Sequence, residues 1–279
     1  MLLTRVITAV VLLVVLLGVL FGGYYPAFVV VILAFLLASL TESFQLFQSS
    51  RKQALLISVF WVAAFSYAFL FKESGTLAFW FAISTALWLL RFVPALKTGL
   101  PEPTPGGRNS MLGSLYAISI ISAFAAMVLF FRHSAVYLLS VMAIVWVADI
   151  GAYFSGKAFG KRKLAPSISP KKSWEGAIGG GIAVLLFSSL TILSVADAPL
   201  LRDTFQVQLQ AQLGWAATLA ILVVLVAASV VGDLFESLLK RRAGVKDSSN
   251  LLPGHGGVLD RIDALVPVLP MAALIYGAL

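Results

Sequence analysis

The chain has 279 residues, of which 60% are hydrophobic and only 11% are charged, and its mean hydropathy is +0.99. A water-soluble core cannot absorb that much apolar surface, so the composition indicates a polytopic membrane protein. Cysteine is absent and only two histidines are present, which excludes disulfides and thiolate metal sites and disfavours a His-rich metal centre. Any bound metal is therefore expected to be a hard cation held by oxygen atoms.

Apolar segments that suit a bilayer recur along the whole chain. A hydrocarbon core of about 30 Å needs roughly 20 apolar residues in a helix, and about 17 suffice. Nine spans are predicted, and they run approximately Val6–Phe21, Pro26–Leu40, Ala54–Phe71, Leu77–Val93, Met111–Phe131, Ala135–Phe154, Ala177–Ala196, Trp215–Leu234 and Ile262–Gly277. The sequence thus predicts an all-α polytopic membrane protein. A signal peptide is the alternative for the first segment, but no small-residue cleavage site follows it, so an uncleaved helix is favoured.

The basic residues predict the orientation of these spans. Positive residues are retained on the cytoplasmic side. With the N-terminus cytoplasmic, 17 of the 20 Lys and Arg residues fall on that side and 3 (Lys72, Arg132 and Arg202) on the other. The net charge of +8 is therefore a topology signal, and anionic lipid headgroups are a nearer partner than nucleic acid, for which no soluble basic face with interleaved aromatics is seen.

A Pro- and Gly-rich stretch at residues 94–110 divides the chain and is predicted to be a cytoplasmic linker. Residues 1–93 before it contain four predicted spans with almost no polar content in the membrane. Residues 111–279 contain five spans, the cytoplasmic loops 155–176 and 235–261, and nine of the twelve acidic residues. The chemistry is therefore expected in the second part.

The stretch from residue 146 to residue 176 is the first that carries candidate functional groups. Asp149 lies in the last turns of the sixth span, where an ionisable side chain is costly and indicates a site, with a paired helix-end carboxylate as the alternative. The loop after it carries the cations Lys157, Lys161, Arg162, Lys163, Lys171 and Lys172. Lys171, Lys172 and Ser173 directly precede a predicted helix, whose N-terminal amides favour anions. Gly176 and Gly180 fit a helix-packing face better than a phosphate loop, because the GxxxxGK[ST] spacing is missing.

A second polar window runs from residue 237 to residue 265. Its ionisable residues are Lys240, Arg241, Arg242, Lys246, Asp247, His255, Asp260, Arg261 and Asp263. Basic residues suit phosphates, carboxylates suit a divalent cation, and Gly254, Gly256 and Gly257 let backbone approach a ligand closely. Asp260 and Asp263 are three residues apart, which puts them on one helical face. With Asp233 at the cytoplasmic end of the eighth span, they predict a magnesium-dependent phosphoryl or nucleotidyl transfer site.

Three residues of this window have open interpretations. His255 between glycines either caps a turn or contacts substrate. Asp247 either contacts substrate or serves only as a partner for Lys246. Arg242 is expected to be a solvated or lipid-facing cation.

The run S-x-L-K-R-x4-K-D-x-S-x2-L-P-x-H-G-G-V-x-D-R-I-D, residues 237–263, resembles the signature of the phosphatidate cytidylyltransferase (CDP-diglyceride synthetase) family. The aspartate, GAY and SPKKSWEG elements between residues 146 and 176 also resemble that family, whereas the first hundred residues match it only in hydropathy and length. The resemblance implies a magnesium-dependent enzyme of the bacterial inner membrane. It also implies a reaction of CTP with phosphatidic acid that gives CDP-diacylglycerol and pyrophosphate.

The resemblance also implies roles for individual residues. Asp233 and Asp260 would be the metal-ligating carboxylates, and Asp263, which completes the DRxD element, would bind the metal or orient Arg261; a second cation is left open. The catalytic residues would be these three with Lys240 and Arg241. Together with the reasoning from charge and position, it makes the substrate-binding candidates Lys157, Lys171, Lys172, Ser173, Ser237, Lys246, Asp247, His255, Gly256, Gly257 and Arg261.

Two other functions are compatible with parts of this pattern. A transporter for an organic anion would also show many spans, intramembrane carboxylates and basic vestibules, but it predicts polar residues near mid-helix. Another nucleotide-dependent lipid kinase or phosphotransferase is closer in chemistry, although the D-G-x2-A-R pattern of CDP-alcohol phosphotransferases is absent. The sequence does not give the oligomeric state and leaves a homodimer open.

Overall fold

A computed structural model describes residues 2–71, 77–101 and 107–278. Its α-helices are α1 (Leu2–Phe21), α2 (Tyr25–Leu46), α3 (Arg51–Phe65), α4 (Leu77–Leu87), α5 (Val93–Thr98), α6 (Gly107–His133), α7 (Ala135–Phe159), α8 (Trp174–Leu193), α9 (Phe205–Arg242), α10 (Leu259–Ile262) and α11 (Leu265–Tyr276). π-Helical segments extend α3 (Ser66–Phe71) and join α4 to α5 (Trp88–Phe92), and a 3₁₀ helix covers Pro199–Asp203. Within these ranges the strands β1 (Lys163–Ala165) and β2 (Ser169–Ser173) form the one antiparallel hairpin.

Six helices in the described part of the chain are long and apolar enough to cross a membrane. They are Tyr25–Leu46, Leu77–Thr98, Asn109–His133, Ala135–Phe159, Trp174–Leu193 and Phe205–Arg242. Two shorter apolar helices, Val6–Phe21 and Leu265–Tyr276, flank them in sequence. The prediction of an α-helical membrane protein is therefore confirmed. Two parts of the sequence prediction lie outside the described residues: Lys72, which was placed on the non-cytoplasmic side, and residues 102–106 of the predicted linker.

Local sequence signals explain where several helices begin and bend. Ser50, Ser134 and Ser173 have extended backbone and each accepts a hydrogen bond from the N–H three residues later, which makes them N-caps of α3, α7 and α8. Gly214 interrupts α9 with φ 75°, a left-handed conformation that suits glycine.

Helix α9 is longer than the eighth predicted span. It continues through Arg242, so the basic run Lys240–Arg242 lies on a helix and not in a loop. Hydropathy marks only the apolar part of a helix, whereas Lys and Arg are good helix formers and favour a helix C-terminus. The loop that carries most of the second polar window is consequently residues 243–258, which we call the signature loop.

The described chain forms two compact units, which are considered separately. Unit 1 comprises residues 1–125 and 239–263, and unit 2 comprises residues 126–238 and 264–279.

The core of unit 1 is aromatic. The rings of Trp88, Phe92 and Tyr116 are fully buried and pack edge to face, with centroids 5.0–6.2 Å apart. Helix α2 contributes buried Leu36, Leu40 and Phe44. The C-terminal end of α2 is thus anchored in this core, and Glu42, near that end, contacts the signature loop, as described below.

Unit 2 is organised by close packing between α7 and α8. A Cβ at Gly180 would lie 2.5 Å from the carbonyl oxygen of Ala148, and one at Gly176 would lie 2.9 Å from that of Ala152. The two helices therefore touch backbone to backbone, which only glycine permits here. This confirms the interpretation of Gly176 and Gly180 as packing residues.

His133, the first of the two histidines in the sequence, belongs to unit 2. His133 Nε2 lies 2.9 Å from Asp203 Oδ1, and His133 Nδ1 lies 3.2 Å from the Tyr276 hydroxyl. Gln208 Nε2 donates to the same Asp203 oxygen at 3.2 Å. These contacts connect α6, α11 and the 3₁₀ helix, which gives His133 a structural role.

Candidate active site

Asp260, two residues after the signature loop, is a buried carboxylate with partners on both oxygens. Its side chain is 4% exposed, and Oδ1 forms an ion pair with Lys240 Nζ at 2.6 Å. Oδ2 accepts hydrogen bonds from the Ser248 N–H (2.9 Å), the Ser248 hydroxyl (2.9 Å) and the Gly257 N–H (2.7 Å). A buried charge needs such compensation, because isolated ions are costly to desolvate. Asp260 and Lys240 are thus held in one orientation, with the Lys240 side chain 14% exposed.

Two glycines make room for this arrangement. Gly256 has φ 86°, and a Cβ there would lie 2.6 Å from Asp260 Oδ2. A Cβ at Gly257 would overlap the Ser248 hydroxyl and lie 2.5 Å from Glu42 Oε2. Both positions therefore require glycine, the first for backbone conformation and space and the second for space alone. Gly256 and Gly257 thus let the loop close around Asp260, and their predicted contact with substrate stays a prediction.

Glu42 is a functional candidate that the sequence analysis missed. Glu42 is 4% exposed. Its carboxylate accepts hydrogen bonds from the hydroxyls of Ser248 and Ser249 and from the backbone N–H groups of Val258 and Leu259, at 2.7–3.1 Å. It comes from α2, in the part of the chain predicted to carry little chemistry. The available signal was an acidic residue beside the apolar segment that ends at Leu40, in a stretch that continues with Phe44 and Leu46.

The remaining residues of the window differ in exposure. Arg241, Lys246, Asp247 and Arg261 are exposed. The Arg261 guanidinium donates to the His255 carbonyl at 2.9 Å, and Asp263 follows α10 one turn after Asp260, its N–H donating to Leu259 at 3.0 Å. The His255 N–H donates to the Leu252 carbonyl at 2.9 Å within a tight turn, and no described residue hydrogen-bonds its buried Nδ1.

The expectation for Arg242 is wrong. Its guanidinium donates from Nη2 to the Pro101 carbonyl and to Asn109 Oδ1, both at 2.6 Å, and lies 6.0 Å above the Phe47 ring. Arg242 is therefore a half-buried structural contact of unit 1 and not a solvated or lipid-facing cation. A planar guanidinium can bond to two acceptors while it stacks on an aromatic ring, which makes it suited to this position.

A second group of predicted residues comes together in unit 2. Lys172 Nζ forms an ion pair with Asp233 Oδ2, and the Ser237 hydroxyl contacts Asp233 Oδ1 at 3.4 Å. Asp149 of α7 lies within electrostatic reach of both Asp233 and Lys172. Lys172 thus supplies positive charge beside the carboxylates Asp233 and Asp149.

The hairpin β1–β2 positions the basic segment that precedes α8. The Glu175 carboxylate accepts from the backbone N–H groups of Lys161 and Arg162 at 3.1 Å and pairs with Arg162 Nε at 3.4 Å. Ser173 is buried, and its hydroxyl caps α8 by accepting from the Gly176 N–H at 3.2 Å. The predicted start of a helix directly after Ser173 is confirmed, and the Ser173 hydroxyl is used as its N-cap. Lys157 and Lys171 are exposed.

The donor chemistry fits a hard divalent cation, although the protein alone does not enclose one. Carboxylate oxygens are the ligands that magnesium prefers, and it commonly uses one or two of them together with water and substrate phosphates. In the ranges that the structure describes, no three His, Asp or Glu side chains stand close enough to form a complete metal site. The residues therefore suit a cation that a phosphate-bearing ligand helps to hold.

These features define a class of protein: an α-helical membrane protein with paired acidic and basic groups suited to phosphate chemistry. Within that class, the model of the Cytidylyltransferase family matches residues 3–279, and the chain belongs to this family.

Curated relatives agree with the family match. The chain is 46% identical over 178 residues to the phosphatidate cytidylyltransferase of Haemophilus influenzae, which covers 61% of this chain and 58% of that protein. It is 53% identical over 142 residues to the one of Pseudomonas aeruginosa (50% and 48%). It is 43% identical over 141 residues to the one of Thermotoga maritima (50% and 49%). The matched region thus spans about half the length of these relatives.

Proposed function

We propose that this protein is a CTP:phosphatidate cytidylyltransferase, which converts CTP and phosphatidic acid into CDP-diacylglycerol and pyrophosphate. The observation that carries the proposal is the family match across residues 3–279. The relatives' name supplies the substrate pair. The ion pairs Lys240–Asp260 and Lys172–Asp233 support it, because polyphosphate chemistry needs fixed charges of both signs.

The reaction needs no strong general base. A phosphomonoester has a second pKa of about 6, so the attacking oxygen of phosphatidate is already anionic at neutral pH. That oxygen forms a bond to the α-phosphorus of CTP, and the bond from this phosphorus to the bridging oxygen of the β-phosphate breaks. Pyrophosphate leaves with the bonding electrons. The main barrier is charge repulsion between two anionic reactants, which positioning and electrostatic stabilisation reduce.

Basic residues of this chain are proposed to reduce the repulsion between the two anionic reactants. Lys240 and Arg241, on the last turn of α9, and Lys246, in the signature loop, neutralise the triphosphate and the leaving pyrophosphate. Arg261, Lys171 and Lys172 are assigned to phosphate binding. The exposure of Arg241, Lys246, Arg261 and Lys171 supports this assignment, because these side chains are accessible to a soluble nucleotide.

Asp233, Asp260 and Asp263 are proposed to hold magnesium. The bound cation would supply Lewis-acid stabilisation of charge on the phosphoryl oxygens. Asp260 and Asp233 each pair with a lysine ammonium group, so both carboxylates balance positive charge, and magnesium would take the place of the ammonium group. Lys240 therefore has two tasks, holding Asp260 in orientation and contributing positive charge to the nucleotide.

The same proposal includes a topology. Nine spans with a cytoplasmic N-terminus would put the signature loop on the cytoplasmic face of a bacterial inner membrane. CTP is soluble in the cytoplasm and phosphatidate keeps its acyl chains in the bilayer, so the reaction must occur at that interface. The excess of Lys and Arg in the predicted cytoplasmic connections supports this orientation.

The proposal is tested by labelling the product. Purified protein in detergent is incubated with phosphatidate, magnesium and CTP labelled at the α-phosphate, and label is measured in the chloroform-soluble lipid. We expect magnesium-dependent label in CDP-diacylglycerol that requires phosphatidate. Folded protein that gives no labelled lipid with any divalent metal would refute the proposed function.

A further inference from the structure

The carboxylate of Glu42 joins α2 to a segment far away in the sequence. All four of its hydrogen-bonding partners lie between Ser248 and Leu259, 206 to 217 positions later in the chain. Two of the donors are backbone N–H groups and two are serine hydroxyls. A single buried side chain thus holds both ends of the segment 248–259.

Three consecutive backbone N–H groups are divided between Glu42 and Asp260. The Gly257 N–H donates to Asp260 Oδ2 at 2.7 Å, the Val258 N–H donates to Glu42 Oε1 at 3.1 Å, and the Leu259 N–H donates to Glu42 Oε2 at 2.7 Å. These residues immediately precede Asp260 in the chain. Glu42 therefore fixes the turn from which the Asp260 side chain projects.

The Ser248 hydroxyl connects the two carboxylates directly. Its oxygen lies 3.0 Å from Glu42 Oε2 and 2.9 Å from Asp260 Oδ2. A hydroxyl has one proton to donate, so its orientation depends on both acceptors at once. A change at Glu42 is thereby transmitted to the hydrogen bonding of Asp260 without any contact between the two carboxylates.

We propose that Glu42 is a positioning residue for cytidylyl transfer, holding the signature loop so that Asp260 faces Lys240. This inference rests on the proposed function and assigns a task to a residue outside the signature. Glu42 acts through Ser248 and the Gly257–Leu259 turn and does not itself contact the reacting phosphates.

The first test measures loop order without activity. Glu42→Gln keeps the side-chain size but leaves only one acceptor oxygen. Its NH2 group would replace the second oxygen and could not accept a hydrogen bond from the Val258 or Leu259 N–H. Hydrogen–deuterium exchange of peptides covering residues 247–259 should become roughly 10- to 100-fold faster, the factor expected when one or two hydrogen bonds to a charged acceptor are lost. Peptides from α7 should not change. Asp203→Asn is the matched control, an acid-to-amide change outside the loop that should leave exchange at residues 247–259 unaltered.

The second test separates positioning from general stability. In Glu42→Gln, kcat per folded molecule should fall about 10- to 100-fold, the range for loss of a supporting contact behind a ligand, while the KM for phosphatidate stays within about twofold. Glu42→Asp should recover part of the loss. The double variant Glu42→Gln/Ser248→Ala should lose less than the product of the two single losses, because both act through the same hydroxyl.

Each outcome is decisive. Faster exchange at residues 247–259 with a lower kcat and non-additive losses supports the inference. Unchanged exchange, or an unchanged kcat per folded molecule, overturns it. If the wild type forms no CDP-lipid, the proposed function and the catalytic task of Glu42 both fail, and the exchange experiment alone then decides whether Glu42 holds the loop.

Discussion

At the scale of single residues, the candidate site is built from carboxylates with nearly complete sets of partners. Two backbone N–H groups and one ammonium group donate to Asp260, two backbone N–H groups and the Ser249 hydroxyl donate to Glu42, and the two carboxylates share the one proton of the Ser248 hydroxyl. Donors arranged in advance around a charge reduce the reorganisation needed during reaction. Small changes to these side chains should therefore affect both turnover and folding, so rates are compared per folded molecule.

Asp260→Asn tests this expectation. The amide keeps the shape of the side chain but removes the charge opposite Lys240, so we expect turnover to fall about 10²-fold or more, as when one preorganised electrostatic group is removed. The measurement is the initial rate of CDP-lipid formation at saturating CTP. Asp197→Asn, at an exposed carboxylate, is the control and should keep the wild-type rate. A variant at position 260 with full turnover would remove Asp260 from the proposed mechanism.

Gly257→Ala tests the close packing of the loop. The added methyl group would meet Glu42 Oε2 at 2.5 Å and the Ser248 hydroxyl, neither of which has room to move without losing partners. We expect the free energy of unfolding to fall by about 1–3 kcal/mol, the usual cost of overpacking, with a lower melting temperature in detergent. Gly18→Ala, where no atom lies within 4 Å of the added carbon, should show no loss. Equal melting temperatures for the two variants would contradict the geometry.

At the scale of elements, the pairing of α7 with α8 positions the residues of unit 2 that carry charge. Asp149 lies on α7, and Lys172 directly precedes the N-cap of α8. Because the two backbones touch, a small displacement of α8 would move Lys172 relative to Asp149. The glycines of α8 that pack against α7 therefore help to set the position of Lys172 relative to Asp149.

A neighbouring pair of glycines tests this contact. Gly180→Ala would bring a methyl group within 2.5 Å of the Ala148 carbonyl oxygen, whereas Gly181→Ala would approach only a Val226 methyl group at 4.0 Å. We expect Gly180→Ala to lower the free energy of unfolding by about 1–3 kcal/mol and Gly181→Ala to leave it unchanged or higher, since alanine favours a helix. Thermal unfolding in the same detergent compares them, and the reverse order would contradict the close α7–α8 packing.

At the scale of the whole molecule, hydropathy and charge predicted the fold class, and short motifs predicted the family. Lys240 and Asp260 were selected from one polar window, and the structure joins them in an ion pair. Glu42 was missed because its partners lie more than 200 residues away, and such a contact leaves no local pattern in the sequence. The extension of α9 to Arg242 was missed because charged residues end a hydropathy segment without ending a helix.

The proposed orientation can be tested directly because the chain has no cysteine. Single variants Arg51→Cys, Lys161→Cys and Arg202→Cys introduce a thiol at exposed positions. In intact bacterial cells, a membrane-impermeant maleimide should label Arg202→Cys only, since the other two thiols face the cytoplasm in the proposed topology. All three should react after the cells are opened. Labelling of Lys161→Cys in intact cells would contradict the orientation.

The central claim is nucleotidyl transfer from CTP to phosphatidate. The most direct test runs the purified protein in parallel with CTP labelled at the α-phosphate and CTP labelled at the γ-phosphate. We predict α-label in lipid, γ-label in pyrophosphate only, and one pyrophosphate for each labelled lipid. Transfer of the γ-label to lipid would identify a kinase instead, and no labelled lipid from folded protein would contradict the account altogether.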